Sequence, residues 1–181
     1  LSIPNLISIG RLLAVPVAVW LILTGRFGWA FWIFVIAGIS DAVDGFLAKR
    51  LKAQTELGKV LDPLADKALL VSVYVSLGQA GHIPVWLVIL VVFRDVLIVG
   101  GIILSHTVGR PVKMRPLVIS KINTAAQIIL AAAVLGMEGL DMQIAPIVTP
   151  MAFAVAATTL ASGGAYLVTW TRTIANSGNG V

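Results

Sequence analysis

Apolar residues fill six long runs along the chain, roughly 5–24, 28–50, 57–80, 84–106, 117–137 and 145–172. An α-helix needs about 20 mostly apolar residues to cross the hydrocarbon core of a bilayer, and each run is of that order. Helix-breaking segments separate several of them: Gly25-Arg26, Gly78-Gln79, Gly109-Arg110-Pro111 and Gly139-Leu140-Asp141. The pattern predicts an all-α integral membrane protein, a six-transmembrane-helix bundle forming a single domain over residues 1–181. No soluble domain or low-complexity tract fits between the runs, and the polar stretch from Asn176 to Gly180 reads as a frayed tail. The chain starts at Leu1 rather than Met, so native residues are expected before it. With Arg11 inside the first run and no small-residue cleavage site after it, that run reads as a membrane helix and not a removed leader.

Composition agrees. Of 181 residues, 59% are hydrophobic and 12% charged, with a mean hydropathy of +1.00; a soluble domain carries about twice that charged fraction. The net charge of +5 would suggest nucleic acid in a soluble protein. In a membrane protein it is better read as basic loops facing the cytoplasm and anionic headgroups, so no nucleic-acid partner is expected. Cysteine is absent, which excludes disulfides and thiolate metal sites.

Loop charges orient the helices. The second-to-third junction holds Lys49, Arg50, Lys52 and Lys59, the fourth-to-fifth holds Arg110, Lys113 and Arg115, and the last run ends at Arg172. The alternate junctions hold Arg26, then only His82, then Glu138 and Asp141. This alternation predicts both termini on the cytoplasmic side. The facing ends of the second and third helices then open to the cytoplasm.

Those ends carry four carboxylates, in DAVDGFLAKRLKAQTELGKVLDPLADK from 41 to 67. On a helix Asp41 and Asp44 lie about 60° apart around the axis, and Asp62 and Asp66 about 40° apart. Each pair shares a face, and the short loop makes the helices antiparallel neighbours. Four such charges cannot stay ionised together in a low-dielectric setting without cations. Oxygen ligands without His or Cys suit a hard divalent ion, Mg²⁺ or Mn²⁺, and two such ions would neutralise the set and grip a phosphate. Gly45, Ala48 and Gly58 fall one turn from an aspartate on the same faces, leaving bare backbone for a ligand. Small-residue helix packing is the ordinary alternative for any one of them.

This stretch resembles the signature of the CDP-alcohol phosphatidyltransferases, D-x2-D-G-x2-A-R-x8-G-x3-D-x3-D. Asp41, Asp44, Gly45, Ala48, Lys49, Gly58, Asp62 and Asp66 keep every spacing. Lys49 departs from the family Arg, retaining the charge but not the planar fork that binds phosphate through two bonds. The resemblance implies six membrane helices paired as a homodimer in a bacterial inner membrane, or less favourably a mitochondrial one, with the site open to the cytoplasm. It implies transfer from CDP-diacylglycerol to an acceptor hydroxyl, with CMP released. Asp41, Asp44, Asp62 and Asp66 would hold metal, and Asp66 is also the candidate base, a dual role left open. Gly45, Ala48 and Gly58 would line the cytidine pocket, beside Lys49. Asn5 and Arg11 resemble an Asn/Arg pair near the donor phosphates. Arg11 is hard to explain as lipid-facing surface, whereas Asn5, following Pro4, is equally placed to cap the helix.

Within the family, "IPNLISIGR", "LDPLADKALLVSVYVSL", "FRDV" and "ISKINTAAQ" look most like the CMP-forming cardiolipin synthases, over about residues 3–135. That implies phosphatidylglycerol as acceptor; phosphatidylglycerophosphate synthases, which use glycerol-3-phosphate, share much of the pattern. Arg94, Asp95, Arg110, Lys113, Arg115 and Lys121 are the candidates for the acceptor site. Arg94 and Asp95 alternatively form an internal pair docking helices, and Lys113 and Arg115 alternatively serve only the loop-charge rule. Lys121, Thr124 and Gln127 are read as one face of the fifth helix. Two rival classes remain. Intramembrane prenyltransferases space their aspartates differently in larger bundles. A cation channel or transporter would set its carboxylates near the midplane between repeats, and this chain shows no internal repeat.

Overall fold

A computed structural model of the chain describes the backbone of residues 3–51, 56–107, 118–143 and 145–178, and the side chains of 6–41, 64–101, 118–143 and 145–171. Among these described residues there are six helices, α1 (Ile3–Leu23), α2 (Phe27–Leu51), α3 (Glu56–Gln79), α4 (Val85–Thr107), α5 (Val118–Gly139) and α6 (Ala145–Gly178). Five of them fall within two residues of the predicted runs at both ends, while α6 continues past 172 to Gly178. Among the described residues, Leu6–Leu23, Val118–Gly139 and Ala145–Thr171 are long and apolar enough to cross a membrane, and Phe27–Asp41 is a shorter apolar stretch. The other three helices contain residues outside the described set. Leu13, Trp29, Ile36, Phe93, Val96 and Ile129 are each more than half exposed. A surface so apolar suits contact with acyl chains rather than water. At 34 residues, α6 measures about 51 Å, well beyond the ~30 Å hydrocarbon core.

The chain divides into two compact units, Leu1–Ile83 with Ala131–Pro146, and Pro84–Leu130 with Ile147–Val181. In the first, α1 packs against both α2 and α3. Its inward face is read off the burial of Ser8, Arg11, Ala18 and Ile22, at helical spacing. The answering face of α3 is Ala65, Leu69, Val73 and Leu77, four apart and buried. Pro16 is accommodated inside α1.

Three helices of this unit end in the same way. In α1 the Arg26 amide donates to the Leu21 carbonyl and the Gly25 amide to Ile22. His82 to Leu77 with Gly81 to Gly78, and Met142 to Met137 with Asp141 to Glu138, repeat the arrangement. These paired bonds close the last carbonyls and require a left-handed residue at the turn. Gly25 (φ 73°) and Gly81 (φ 82°) meet the requirement at no steric cost; at the third turn Asp141 (φ 53°) takes that place. Around these turns His82 Nδ1 lies 2.6 Å from Glu138 Oε1, with Phe27 edge-on to the imidazole. Arg26 sits over the exposed Trp20, and Trp29 and Trp32 are exposed close by in sequence, a composition suited to the membrane–water boundary.

Helices α2 and α5 meet here with no side chain between them. A Cβ on Gly139 would stand 2.7 Å from the Gly28 Cα and 2.8 Å from its nitrogen, whereas one on Gly28 would meet only ordinary contacts. Gly139→Ala is therefore expected to force the helices apart and cost roughly 1–3 kcal/mol, the range for overpacking, while Gly28→Ala is tolerated. Thermal unfolding of the two variants in detergent checks this; equal midpoints would refute the close approach.

In the second unit the interior mixes apolar and polar groups. Leu87, Val91, Leu130 and Val155 are buried together with Arg94, Asp95, Asn123, Gln127, Thr159 and Ser162. Pro150 lies within α6, as Pro16 does within α1.

Candidate active site

Arg11 reaches the inward face of α1 because it lies three residues after Ser8 and seven before Ala18. Its side chain is 2% exposed. Nη1 stands 2.9 Å from Asp41 Oδ1 on α2 and also donates to Asp66 Oδ1 on α3. One guanidinium thus joins the first and last carboxylates of the signature. Both lie within the first compact unit. The two carboxylates are 44% and 42% exposed, so they sit at an opening while the cation lies behind them.

The arrangement follows from charge compensation. A guanidinium removed from solvent requires opposed charge and hydrogen-bond acceptors. Asp41 and Asp66 supply both, and together they exceed it by one negative charge. Two carboxylates with surplus negative charge are oxygen donors of the kind a hard divalent cation takes, while the side chains of Asp44 and Asp62 lie outside the described residues. Arg11 also buries Nε and Nη2 with no hydrogen-bond partner among the described residues. Two buried donors on a positive group suit an anionic oxygen such as that of a phosphate. No cluster of three or more His, Cys, Asp or Glu occurs among the described residues.

The backbone places Asp44, Gly45, Ala48 and Lys49 in α2, Gly58 and Asp62 in α3, and Asn5 in α1, with their side chains outside the described residues. Arg110, Lys113 and Arg115 lie outside them altogether. Because α1 begins at Ile3, Asn5 is inside the first turn, and its reading as a cap falls away.

In the second unit Arg94 and Asp95 are both buried, with Arg94 Nη1 2.8 Å from Asp95 Oδ1. Arg94 Nη2 donates to the hydroxyls of Ser120 on α5 and Ser162 on α6, and the guanidinium lies 5.9 Å over the Tyr166 ring. The Thr158 and Thr159 hydroxyls meet Asn123 Oδ1 at 2.9 and 2.8 Å. Sequence reading missed Ser120, Asn123, Ser162 and Tyr166. The available signal was hydroxyl and amide residues recurring at three- and four-residue steps in otherwise apolar helices. Lys121 does not share the buried face of α5: it is exposed, whereas Gln127 is fully buried, as their separation of about 120° around the helix requires.

A sequence profile described as CDP-alcohol phosphatidyltransferase matches residues 1–163. Over 148 residues the chain is 38% identical to "Cardiolipin synthase (CMP-forming)" of Rattus norvegicus, covering 73% of this chain and 49% of that protein. It is 36% identical over 184 residues to the chloroplastic "CDP-diacylglycerol--glycerol-3-phosphate 3-phosphatidyltransferase 1" of Oryza sativa subsp. japonica, covering 92% of this chain and 56% of the relative. A "Cardiolipin synthase (CMP-forming)" of Streptomyces coelicolor is 38% identical over 114 residues, with 59% and 53% covered. The chain spans about half the length of these curated relatives.

Proposed function

The chain belongs to the CDP-alcohol phosphatidyltransferase family, and from that premise we propose that it is a CMP-forming cardiolipin synthase. It transfers the phosphatidyl group of CDP-diacylglycerol to phosphatidylglycerol. The observation that carries this reading is the convergence of Asp41 and Asp66, from two helices, on the buried Arg11. Arg11, with Asn5 and Lys49, holds the donor phosphates, and Gly45, Ala48 and Gly58 leave room for the cytidine. Asp41, Asp44, Asp62 and Asp66 would hold two divalent ions, Mg²⁺ or Mn²⁺, which when bound draw charge from the pyrophosphate.

Asp66 accepts the proton of the acceptor hydroxyl. That oxygen then forms a bond to the lipid-side phosphorus as the bond from this phosphorus to the bridging oxygen breaks, and CMP leaves with that oxygen. Arg94, Asp95, Arg110, Lys113, Arg115 and Lys121 serve the anionic acceptor. The protein is a single catalytic domain over residues 1–181 with six spans, working as a homodimer in a bacterial inner membrane. Both termini and the site face the cytoplasm, on the side of the basic loops.

A second reading, glycerol-3-phosphate as acceptor, is favoured by the match to the rice phosphatidyltransferase over 92% of this chain. Purified protein given CDP-diacylglycerol and either acceptor separates the two, with CMP and the lipid product measured by mass spectrometry. Cardiolipin from phosphatidylglycerol is the expected result. Product from glycerol-3-phosphate alone would establish the second reading. Metal-ion flux into proteoliposomes without CMP release would overturn both in favour of a transporter.

A further inference from the structure

Arg11 is a cation that the chain itself builds into the acidic site. Its Nη1 stands 2.9 Å from Asp41 Oδ1 and also donates to Asp66 Oδ1, so one nitrogen is shared by carboxylates from two helices. The guanidinium comes from the inward face of α1, between the buried Ser8 and Ala18, and that helix packs on both α2 and α3. With its side chain 2% exposed, Arg11 cannot turn out into water without unpacking that face. The charge it carries is therefore a fixed part of the site, while the two carboxylates stand at the opening.

Two effects of opposite sign then act on a divalent ion at Asp41 and Asp66. By holding the carboxylates together, Arg11 lowers the cost of assembling them. By taking up half of their charge, it leaves less for a second cation and repels that cation across the same pair. The first effect is duplicated elsewhere, because the apolar packing of Ala18 and Ile22 with Ala65, Leu69 and Val73 already fixes the helices. Nothing among the described residues duplicates or offsets the second, so the repulsion wins. We propose that Arg11 is a built-in competitor of the divalent ion, holding the metal affinity of the acidic site down so that the ion exchanges instead of being trapped. The inference rests on the metal-site reading, because it takes Asp41 and Asp66 as metal donors.

Mn²⁺ binding to the purified full chain in detergent, read from the loss of the free-ion signal in electron paramagnetic resonance, tests this without turnover. Arg11→Gln is expected to lower the Mn²⁺ Kd about tenfold or more, the scale on which a neighbouring like charge disfavours a charged form. Arg11→Lys, which keeps the charge, should remain near wild type. Thermal unfolding gives a second readout. In EDTA, Arg11→Gln should melt below wild type, because the charge opposed to both carboxylates is gone. Saturating Mn²⁺ should then raise its midpoint by more than it raises that of wild type. Recovery of Arg11→Gln in folded form only with Mn²⁺ present would support the proposal in the same way. An unchanged or weaker affinity in Arg11→Gln would overturn it, since Arg11 would then organise the carboxylates without competing for them. Arg11→Lys binding as tightly as Arg11→Gln would overturn it too, because the effect would not be one of charge. If neither Arg11→Gln nor Arg11→Met folds, with or without Mn²⁺, Arg11 is only a strut and the proposal falls. Failure of wild type and variants alike to bind Mn²⁺ would refute the metal-site reading as well. An unchanged Kd alongside CMP release by wild type would leave that reading standing and remove this inference alone.

Discussion

Asp66→Asn is expected to slow CMP release roughly 10²–10⁴-fold, the usual contribution of a positioned general base, while the protein stays folded. The fold survives because Asn has the same shape and keeps an oxygen for Arg11, and Asp41 still neutralises the guanidinium at 2.9 Å. Both carboxylates are more than two-fifths exposed, so removing one charge alters stability only modestly. The loss should fall on kcat, with the KM for CDP-diacylglycerol within a few-fold of wild type. Arg11→Ala should show the opposite split, raising the donor KM, because it removes the buried donors proposed to meet phosphate. Changing both aspartates is a different experiment. Asp41→Asn with Asp66→Asn leaves a 2% exposed guanidinium without opposed charge among the described contacts. That should cost several kcal/mol, toward the lower end of the roughly 3–5 for a broken buried pair, given the exposed partners. Activity is read by CMP release, and folding by size exclusion and thermal unfolding. A single Asp66→Asn variant turning over at the wild-type rate would remove the base role.

The sequence was most readable where local chemistry dictates structure. The six apolar runs coincide with six helices among the described residues, and a run that lies in lipid has no other way to satisfy its backbone. The breaks read at Gly25-Arg26 and Gly139-Leu140-Asp141 are tight helix ends, while the one read at Gly78-Gln79 turns at Gly81 instead; that Asp141 rather than a glycine is the left-handed residue follows from the turn around it and not from composition. Spacing named Asp41 and Asp66, and the cost of intramembrane charge singled out Arg11. That Arg11 joins those two carboxylates could not be read from spacing. Helical phase tells which residues share a face, but not which helix comes to lie against it, and here α1 packs on both α2 and α3. The same gap hid Asn123 and Ser162, which are unremarkable on their own helices and acquire partners only through packing. Lys121 was misplaced for a simpler reason. Successive three-residue steps drift by about 60° each, so two of them carry a residue off the starting face.

Asp95→Leu is expected to destabilise the protein severely, because Arg94 would remain 4% exposed with neutral partners among the described residues, the Ser120 and Ser162 hydroxyls and the Tyr166 ring. Removing one member of a buried ion pair costs roughly 3–5 kcal/mol, far more than the pair itself contributes. Arg94→Leu should also be damaging, as it takes the opposed charge of Arg94 away from a buried carboxylate. The double substitution to leucine removes both charges from an interior that already holds Leu87, Val91 and Leu130, and it should recover most of the loss. A double-mutant cycle on thermal unfolding would then give a coupling well above the roughly 0.5 kcal/mol scatter of independent sites. Additive losses would show that the two side chains do not act as a pair. Turnover of the folded double variant carries the functional half of the question. If CMP release from CDP-diacylglycerol persists at the wild-type KM for phosphatidylglycerol, the pair serves only to dock α4 against α5 and α6. If that KM rises while the KM for the donor holds, the pair shapes acceptor binding. The stability coupling is the same in both cases, since a buried charge must be compensated whatever its role.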